Sequence, residues 1–515
     1  MKTLIDSRKG KLCLSILMIS IILLSFVSCA KGSDNTSNTT TVEKGRKHEH
    51  LVMALLVDPD GLDPQRTAAA STFQITSNIY ETLVTVDEKG NIIPALAESW
   101  EVSPDGLAIT FNLRKDARFS DGTPCTSASV RKSFERLMDP KSPRGSYYSG
   151  IKAIICPDDA TVIFCYDELD VSALQNFAYS WAAIVDASRG DALRSKPLGT
   201  GAYRLVSWTA QQNIILERNE YYPGEVGVDK VEFVIMPDVS SQISSFRNRD
   251  IDIMQITGDQ LPALGDESTY TLIEGTINGL QLMAMNLENE ALSDIRVRQA
   301  INHAVDKNAL IEAVWWGYGN EIGSHYPVVL PEFVDHAGTY EYNPEKAKAL
   351  LSEAGYGNGL TLKLALPKSY QEYVNAGIVI ADYLKKVGIN CDIEIVEWSD
   401  WLENVYTGRK YDLTVVGHTG RLDPYALLKR YESTAGENYF NYSNPRVDEI
   451  LNSYNSIADE SERLRLVQEM QEIIAHDVPA LFIQDPIMLY VTQTDVEGFQ
   501  TYPIELYDMK KVRII

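Results

Sequence analysis

Two oppositely charged side chains stand two residues apart in the segment Gly417-His418-Thr419-Gly420-Arg421-Leu422-Asp423-Pro424-Tyr425. A buried carboxylate is a natural partner for an ammonium group, because an unpaired buried charge is very costly, and Asp423 is the candidate. The forked guanidinium of Arg421, or of Arg430 on the following helical stretch, matches a carboxylate through two parallel hydrogen bonds. With Thr419 and Gly420 beside them, these residues suit recognition of the charged ends of a small ligand. Asp423 also has a plainer reading, since Asp before Pro is a common helix start.

Bond-making chemistry finds less support. Ser129-Val130-Arg131-Lys132 has the S-x-x-K spacing of penicillin-binding proteins, but its K-T-G companion is absent. There is no G-x-S-x-G, no H-E-x-x-H and no phosphate-binding loop. The reading is a binding protein without a cofactor, not an enzyme. His48 and His50, two of seven histidines, fall short of the four ligands of a structural metal site and read as solvated linker residues.

The N-terminus speaks to the compartment. Lys2, Arg8, Lys9 and Lys11 precede an apolar run from Leu12 to Val27, about as long as a signal peptide allows and short of the ~20 residues of a membrane span. The run ends in Phe26-Val27-Ser28-Cys29, a lipobox-like sequence with Phe26 at the usual leucine position, so Cys29 is the expected lipidation site. The other reading is an ordinary signal peptide cut elsewhere. Ala30 to Thr41 is nearly all Lys, Gly, Ser, Asp, Asn and Thr and has no apolar face to bury, as in a flexible tether. Lipid plus tether would hold a soluble body at the extracytoplasmic face of the cell membrane, on the cell surface or in a periplasm.

The formal net charge is −24, and the signal segment carries four positive charges and one negative, so without it the charge is −27. Such a surface argues against nucleic acid and anionic membranes as partners. Cys125, Cys156, Cys165 and Cys391 read as free thiols. In a hairpin turning at Pro157–Ala160, Cys165 would lie roughly 13 Å beyond the residue facing Cys156, and bridged Cα atoms need about 7 Å or less.

The elements that must position the charged segment are mixed. Leu51–Val57 and Ala108–Leu113 have strand character, the second after the turn Ser103-Pro104-Asp105-Gly106. Asn343-Pro344-Glu345 opens a helix that Gly355 stops, and Asn444-Pro445 opens another. A third helix is expected from Ser293 or Asp294 through Val297, Ala300, Ile301, Ala304 and Val305 to Gly317. Helices interleaved with short strands point to α/β lobes.

Seven motifs in order carry a family resemblance: Gly61-Leu62-Asp63-Pro64 through Tyr80-Glu81-Thr82-Leu83-Val84; Pro94-Ala95-Leu96-Ala97-Glu98-Ser99-Trp100; Phe119-Ser120-Asp121-Gly122-Thr123-Pro124; Pro197-Leu198-Gly199-Thr200-Gly201-Ala202-Tyr203; Val297 to Asp306; Tyr342 to Leu351; and Tyr411-Asp412-Leu413. Together they resemble the peptide/nickel class, family 5, of ABC-importer solute-binding proteins, with Ala202 where that family usually has proline. The resemblance implies an α/β, two-lobed periplasmic-binding-protein-like fold with an extra N-terminal subdomain and a ligand cleft between lobes that close on a hinge. The implied boundaries are a signal peptide at 1–28, a tether at 29–50, lobe I with the subdomain at 51–284, lobe II at 285–486 and a lobe I return at 487–515.

The resemblance also assigns roles. Asp423 would hold the amino end of a peptide. Tyr147 or Tyr148, in Arg144-Gly145-Ser146-Tyr147-Tyr148, would lay a flat apolar wall over the ligand. Ser71, Thr72 and Phe73 would line the cleft from lobe I. The implied function is a lipid-anchored receptor, monomeric, that passes oligopeptides or dipeptides to ABC permease subunits. The alternatives are a nickel or metallophore-chelate receptor, held by arginine and aromatic side chains without protein ligands to the metal, and a surface adhesin or signalling sensor on the same fold.

Overall fold

A computed structural model describes residues 50–515 except Ile277 and Gly420. Cys29, His48, the apolar run and the tether up to residue 49 lie outside the described residues, as does Gly420 of the charged segment. His50 is not linker. It opens the first strand, pairs in register with Lys230, and places its Nε2 3.1 Å from Glu232.

Two sheets share one strand. The first runs Tyr203–Thr209, Asn213–Arg218, Lys230–Ile235, His50–Leu55, Ile253–Ile256 and then the C-terminal half of the long strand Ala480–Gln493, with Tyr270–Thr276 on its other side. The second runs Ile389–Val396, Leu360–Pro367, Leu413–Thr419, Gly279–Met285 and then the N-terminal half of that same long strand, with Gly319–Glu321 beyond it. The long strand therefore crosses between the lobes around Gln484–Ile487. The other crossing lies between Thr276 and Gly279, earlier than the boundary at 284 expected from sequence, because Gly279–Met285 pairs throughout with Leu413–Thr419. Asn278 sits in this crossing with a left-handed φ of 48° and donates from Nδ2 to Pro503 O at 3.0 Å. Gln484 Nε2 donates to Gln281 Oε1 at 2.6 Å, which ties the start of the long-strand crossing to the strand that leaves the other.

The subdomain is a four-stranded antiparallel sheet, ordered Ala97–Val102, Ala108–Leu113, Thr161–Tyr166 and Ile151–Ile155, covered by the helix Ser127–Leu137. Its core is aromatic: Phe111, Phe134, Phe164 and Phe177 pack edge-on or tilted, with ring centroids 4.6–5.8 Å apart. Ser129 of the S-x-x-K run is the third residue of this helix, where its hydroxyl accepts the Thr126 N–H, a capping contact. The subdomain is anchored to the first lobe through the Gly61–Pro64 motif: Arg136 grips both carboxylate oxygens of Asp63 and also donates to Gln65 Oε1.

Local start and stop signals act as read. Asn343 caps the helix Pro344–Glu353 by accepting the Lys346 N–H, and Gly355 follows at φ 92°. Asn444 caps Pro445–Tyr454. The helix expected to run from 293 to 317 is instead two, Ile295–Ala304 and Lys307–Trp315. Val305 turns to an extended conformation and Asp306 caps a fresh helix by accepting the Ala309 N–H, a signal that apolar periodicity alone hides. Gly199 is required by close approach, since a Cβ there would come within 2.2 Å of Ile79 O. The described cysteines are free.

Candidate functional site

The charged segment begins inside the strand Leu413–Thr419 and places Arg421 in the space between the lobes. Its backbone is fixed by Tyr179, whose hydroxyl accepts the Leu422 N–H at 2.9 Å. Tyr179 in turn stacks flat on Trp181, with centroids 4.2 Å apart and planes 8° apart. Trp181 contacts Phe73 and Tyr147, and the Arg144 guanidinium lies 4.9 Å from its ring. Burial raises the Tyr179 hydroxyl above its usual pKa, so it stays a neutral hydrogen-bonding group.

A cavity of about 240 Å3 opens beside this stack. From the first lobe it is lined by Gln74, Tyr490, Glu505 and Tyr507; from the crossings by Thr276 and Asn278; and from the second lobe by Thr419 and Arg421. Among the described residues neither Arg421 nor Glu505 has an ion-pair partner. A second cavity of about 350 Å3 shares Asn278 and Thr419 with the first and extends into the second lobe. Its wall is aromatic. Tyr370 stacks on Tyr373 at 5.2 Å and meets Trp398 edge-on at 5.0 Å, while Trp398 stacks on the buried Trp401 at 4.9 Å. Gly417 makes room for this arrangement, as a Cβ there would come within 2.1 Å of the Tyr373 hydroxyl. Together the two cavities fall within the ~300–1,000 Å3 of ordinary ligand pockets.

His418 borders the second cavity. Its Nε2 meets the Tyr439 hydroxyl at 2.9 Å; the ring of His325 lies 5.1 Å away, with its Nδ1 at 2.8 Å from the Tyr431 hydroxyl. The remaining ring nitrogens, His325 Nε2 and His418 Nδ1, are buried without a hydrogen-bond partner. Among the described residues no group of three or more His, Cys, Asp or Glu side chains is placed to hold a metal.

The residues expected to meet the ligand divide. Arg421 and Thr419 line the first cavity. Thr72 and Phe73 instead face the interior of the first lobe. The Thr72 hydroxyl is held by Asp60 at 2.7 Å, and Phe73 is 1% exposed against Trp181. On that helix, Ala70 and Gln74 face the cavity, one turn apart, and Ser71 is not part of its lining. Tyr148 is likewise core: its hydroxyl donates to Asn176 O at 2.6 Å and its ring packs on Phe134. Tyr147 is half-buried against Trp181 and borders neither cavity. Arg430 lies behind the segment, where its Nε donates to Leu427 O at 3.3 Å and its charge acts on Tyr439 and the two histidines.

Asp423 is the largest departure. Its two oxygens accept the Tyr425 and Ala426 N–H groups at 3.1 and 3.0 Å, capping the helix Pro424–Leu428. It opens on a separate cavity with Glu332 and Arg463, away from Arg421. Burial pushes its carboxyl up, and so does burial for Asp170, which approaches it from the subdomain. The Asp-Pro pair was thus a helix start. Accordingly, Asp423→Ala is expected to lower stability by about 0.5–2 kcal/mol, the usual cost of removing an N-cap side chain. It should leave unchanged the difference in affinity between free and N-acetylated peptides. Calorimetry on both peptide forms checks this, and a selective loss for free peptides would return the ammonium to Asp423.

Sequence reading missed Gln74, Tyr370, Tyr373, Trp398, Glu505 and Tyr507. The aromatic pairs Tyr370/Tyr373 and Trp398/Trp401 were visible as three-residue spacings. Nothing local marked Glu505.

Two lobes joined by paired crossings around a lined cleft define a ligand-binding receptor. Residues 91–439 match the family described as bacterial extracellular solute-binding proteins, family 5 middle. The oligopeptide-binding protein AppA of Bacillus subtilis (strain 168) is 25% identical, over 98% of this chain and 99% of its own. The dipeptide-binding protein of Escherichia coli (strain K12) is 27% identical, over 92% and 96%. Among solved structures, HbpA2 from Haemophilus parasuis matches with a TM-score of 0.82 at 26% identity, over 90% of this chain and 100% of that one. The chain belongs to family 5 of the bacterial extracellular solute-binding proteins, the receptors of ABC importers. Among the described residues no helix is long and apolar enough to cross a membrane.

Proposed function

We propose that this chain captures short peptides between its lobes and delivers them to a membrane permease, held at the membrane surface by lipid on Cys29. The observation that carries the reading is the pair of adjoining cavities, one bearing unpaired charges and the other an aromatic wall. A peptide offers both kinds of group at once. Relatives named for oligopeptide and dipeptide binding, matched over nearly their full lengths, support it. The lipobox-like end of the apolar run and the tether behind it support the anchor.

Native mass spectrometry of the chain purified from its host without refolding tests the cargo. The expected result is a set of added masses that tandem fragmentation reads as peptides. A single added mass carrying a metal isotope pattern would replace peptide with chelate.

A further inference from the structure

We infer that the first cavity recognises both ends of a zwitterion, with Arg421 of the second lobe taking a carboxylate and Glu505 of the first lobe taking an ammonium. The inference rests on the receptor reading above and gives its ligand a charge pattern and a direction.

The chain has 71 acidic and 47 basic residues, and an arginine that lines a cavity without an ion-pair partner is available to an anionic group of a ligand. Arg421 is such a residue, held half-buried by the Tyr179–Leu422 contact that fixes its backbone. Glu505 lines the same cavity, half-buried and likewise unpaired. The two do not neutralise each other, since no ion pair within 4.0 Å joins them. Closing a cleft over two unmatched charges carries a desolvation cost that a ligand with the complementary charges removes. The charges also come from different lobes, so a zwitterion spanning them favours the closed arrangement over the open one, and only such differential contact shifts that equilibrium.

The direction follows from what is already engaged. On the second lobe the neighbouring carboxylate, Asp423, is committed to its helix cap and opens on another cavity. The ammonium is therefore left to Glu505, and the carboxylate to the forked donor at Arg421. A side chain of the ligand passes Asn278 and Thr419 into the second cavity, where Tyr370, Tyr373 and Trp398 favour an apolar or aromatic group.

The test is calorimetric titration of the full soluble chain with a pool of di- and tripeptides containing Phe or Leu, each in free, N-acetylated and C-amidated form. Wild type is expected to lose about 30-fold or more in affinity on C-amidation, and again on N-acetylation. In Arg421→Gln the cost of amidation should vanish while that of acetylation remains. Glu505→Gln should show the reverse, and Arg421→Lys should keep its sensitivity to amidation. Equal thermal melts of all four proteins exclude misfolding as the cause. An amidation cost that survives in Arg421→Gln, or an acetylation cost that survives in Glu505→Gln, overturns the assignment while the peptide reading stands. A parallel titration uses ω-amino carboxylates of four to eight carbons. If these bind wild type and lose affinity in Arg421→Gln while no peptide binds, the peptide reading falls and the zwitterion site stands. If neither class binds wild type, both fall.

Discussion

Replacing Arg136 with alanine is expected to cost about 3–5 kcal/mol, the loss that follows when one partner of a buried ion pair is removed and the other stays. The Asp63 side chain is 4% exposed and that of Arg136 10%, so the stranded carboxylate would have little water to turn to. The damage would spread. Gln65, whose Oε1 also accepts from Arg136, donates from its side chain to Ser133 and to Ala183 O, and Arg66 donates to the Arg136 carbonyl. One guanidinium thus joins the Asp63-Pro64 turn of the first lobe to the covering helix of the subdomain. Urea unfolding followed by tryptophan fluorescence measures the effect, with Trp100 in the subdomain sheet and Trp181 in the core beside it as reporters. The double change Asp63→Leu with Arg136→Met removes both charges and should cost less than Arg136→Ala alone. An Arg136→Ala protein that unfolds at the wild-type urea concentration would show that the pair contributes nothing.

Acid should destabilise the protein through His325 and His418. Burial, followed by the charge of Arg430, holds His325 well below the usual imidazole value; burial, Arg430 and His325 together do the same to His418. The unfolded chain takes up a proton on each near pH 6.5, whereas the folded chain resists until a lower pH. Between those two values the unfolded state binds more protons. Stability is therefore complete above about pH 6.5 and falls as pH drops below it, by up to about 1.4 kcal/mol per pH unit for each histidine. Asp485 acts with the opposite sign. Burial raises its carboxyl to about 7, so its contribution is present at low pH and is lost as pH rises through that value. The wild-type curve is a composite, and the histidine part is isolated by comparison with His325→Gln. Thermal melts of the two proteins between pH 5 and 7.5 should diverge below 6.5, with the variant falling less steeply. Parallel curves would mean that His325 takes up its proton in the fold as readily as in the unfolded chain.

Much of the scaffold was legible because its signals are local. Asn343 and Asn444 cap where their Pro neighbours said they would, and Gly106 turns at φ 70° between paired strands. Local signals also misled where two uses share one residue type. Phe73 and Tyr148 are as apolar and flat as any ligand wall, and only their burial assigns them to the core. Asp423 has the charge an ammonium needs, but Pro424 places it at a helix start, where backbone N–H groups claim both oxygens. Arg421 was named from its neighbourhood. Glu505 was not, because it lies 84 residues further along and meets Arg421 only through the return of the chain after the crossing strand. Charge pairing across a cleft is a property of the folded path, which a reading along the sequence does not contain.

The strand Ala480–Gln493 has a consequence for how this architecture can be altered. One uninterrupted ribbon supplies a ladder partner to both sheets, so neither half is a transferable cassette. Cutting the chain at Pro486 to exchange one lobe for a relative's would strip Gly279–Met285 or Tyr270–Thr276 of its neighbour and expose an unpaired edge. Grafting must carry the whole ribbon and change only the loops that face the cavity. Variation can then be confined to cavity-lining positions such as 421 and 505 while the mechanical joint beneath them is inherited whole.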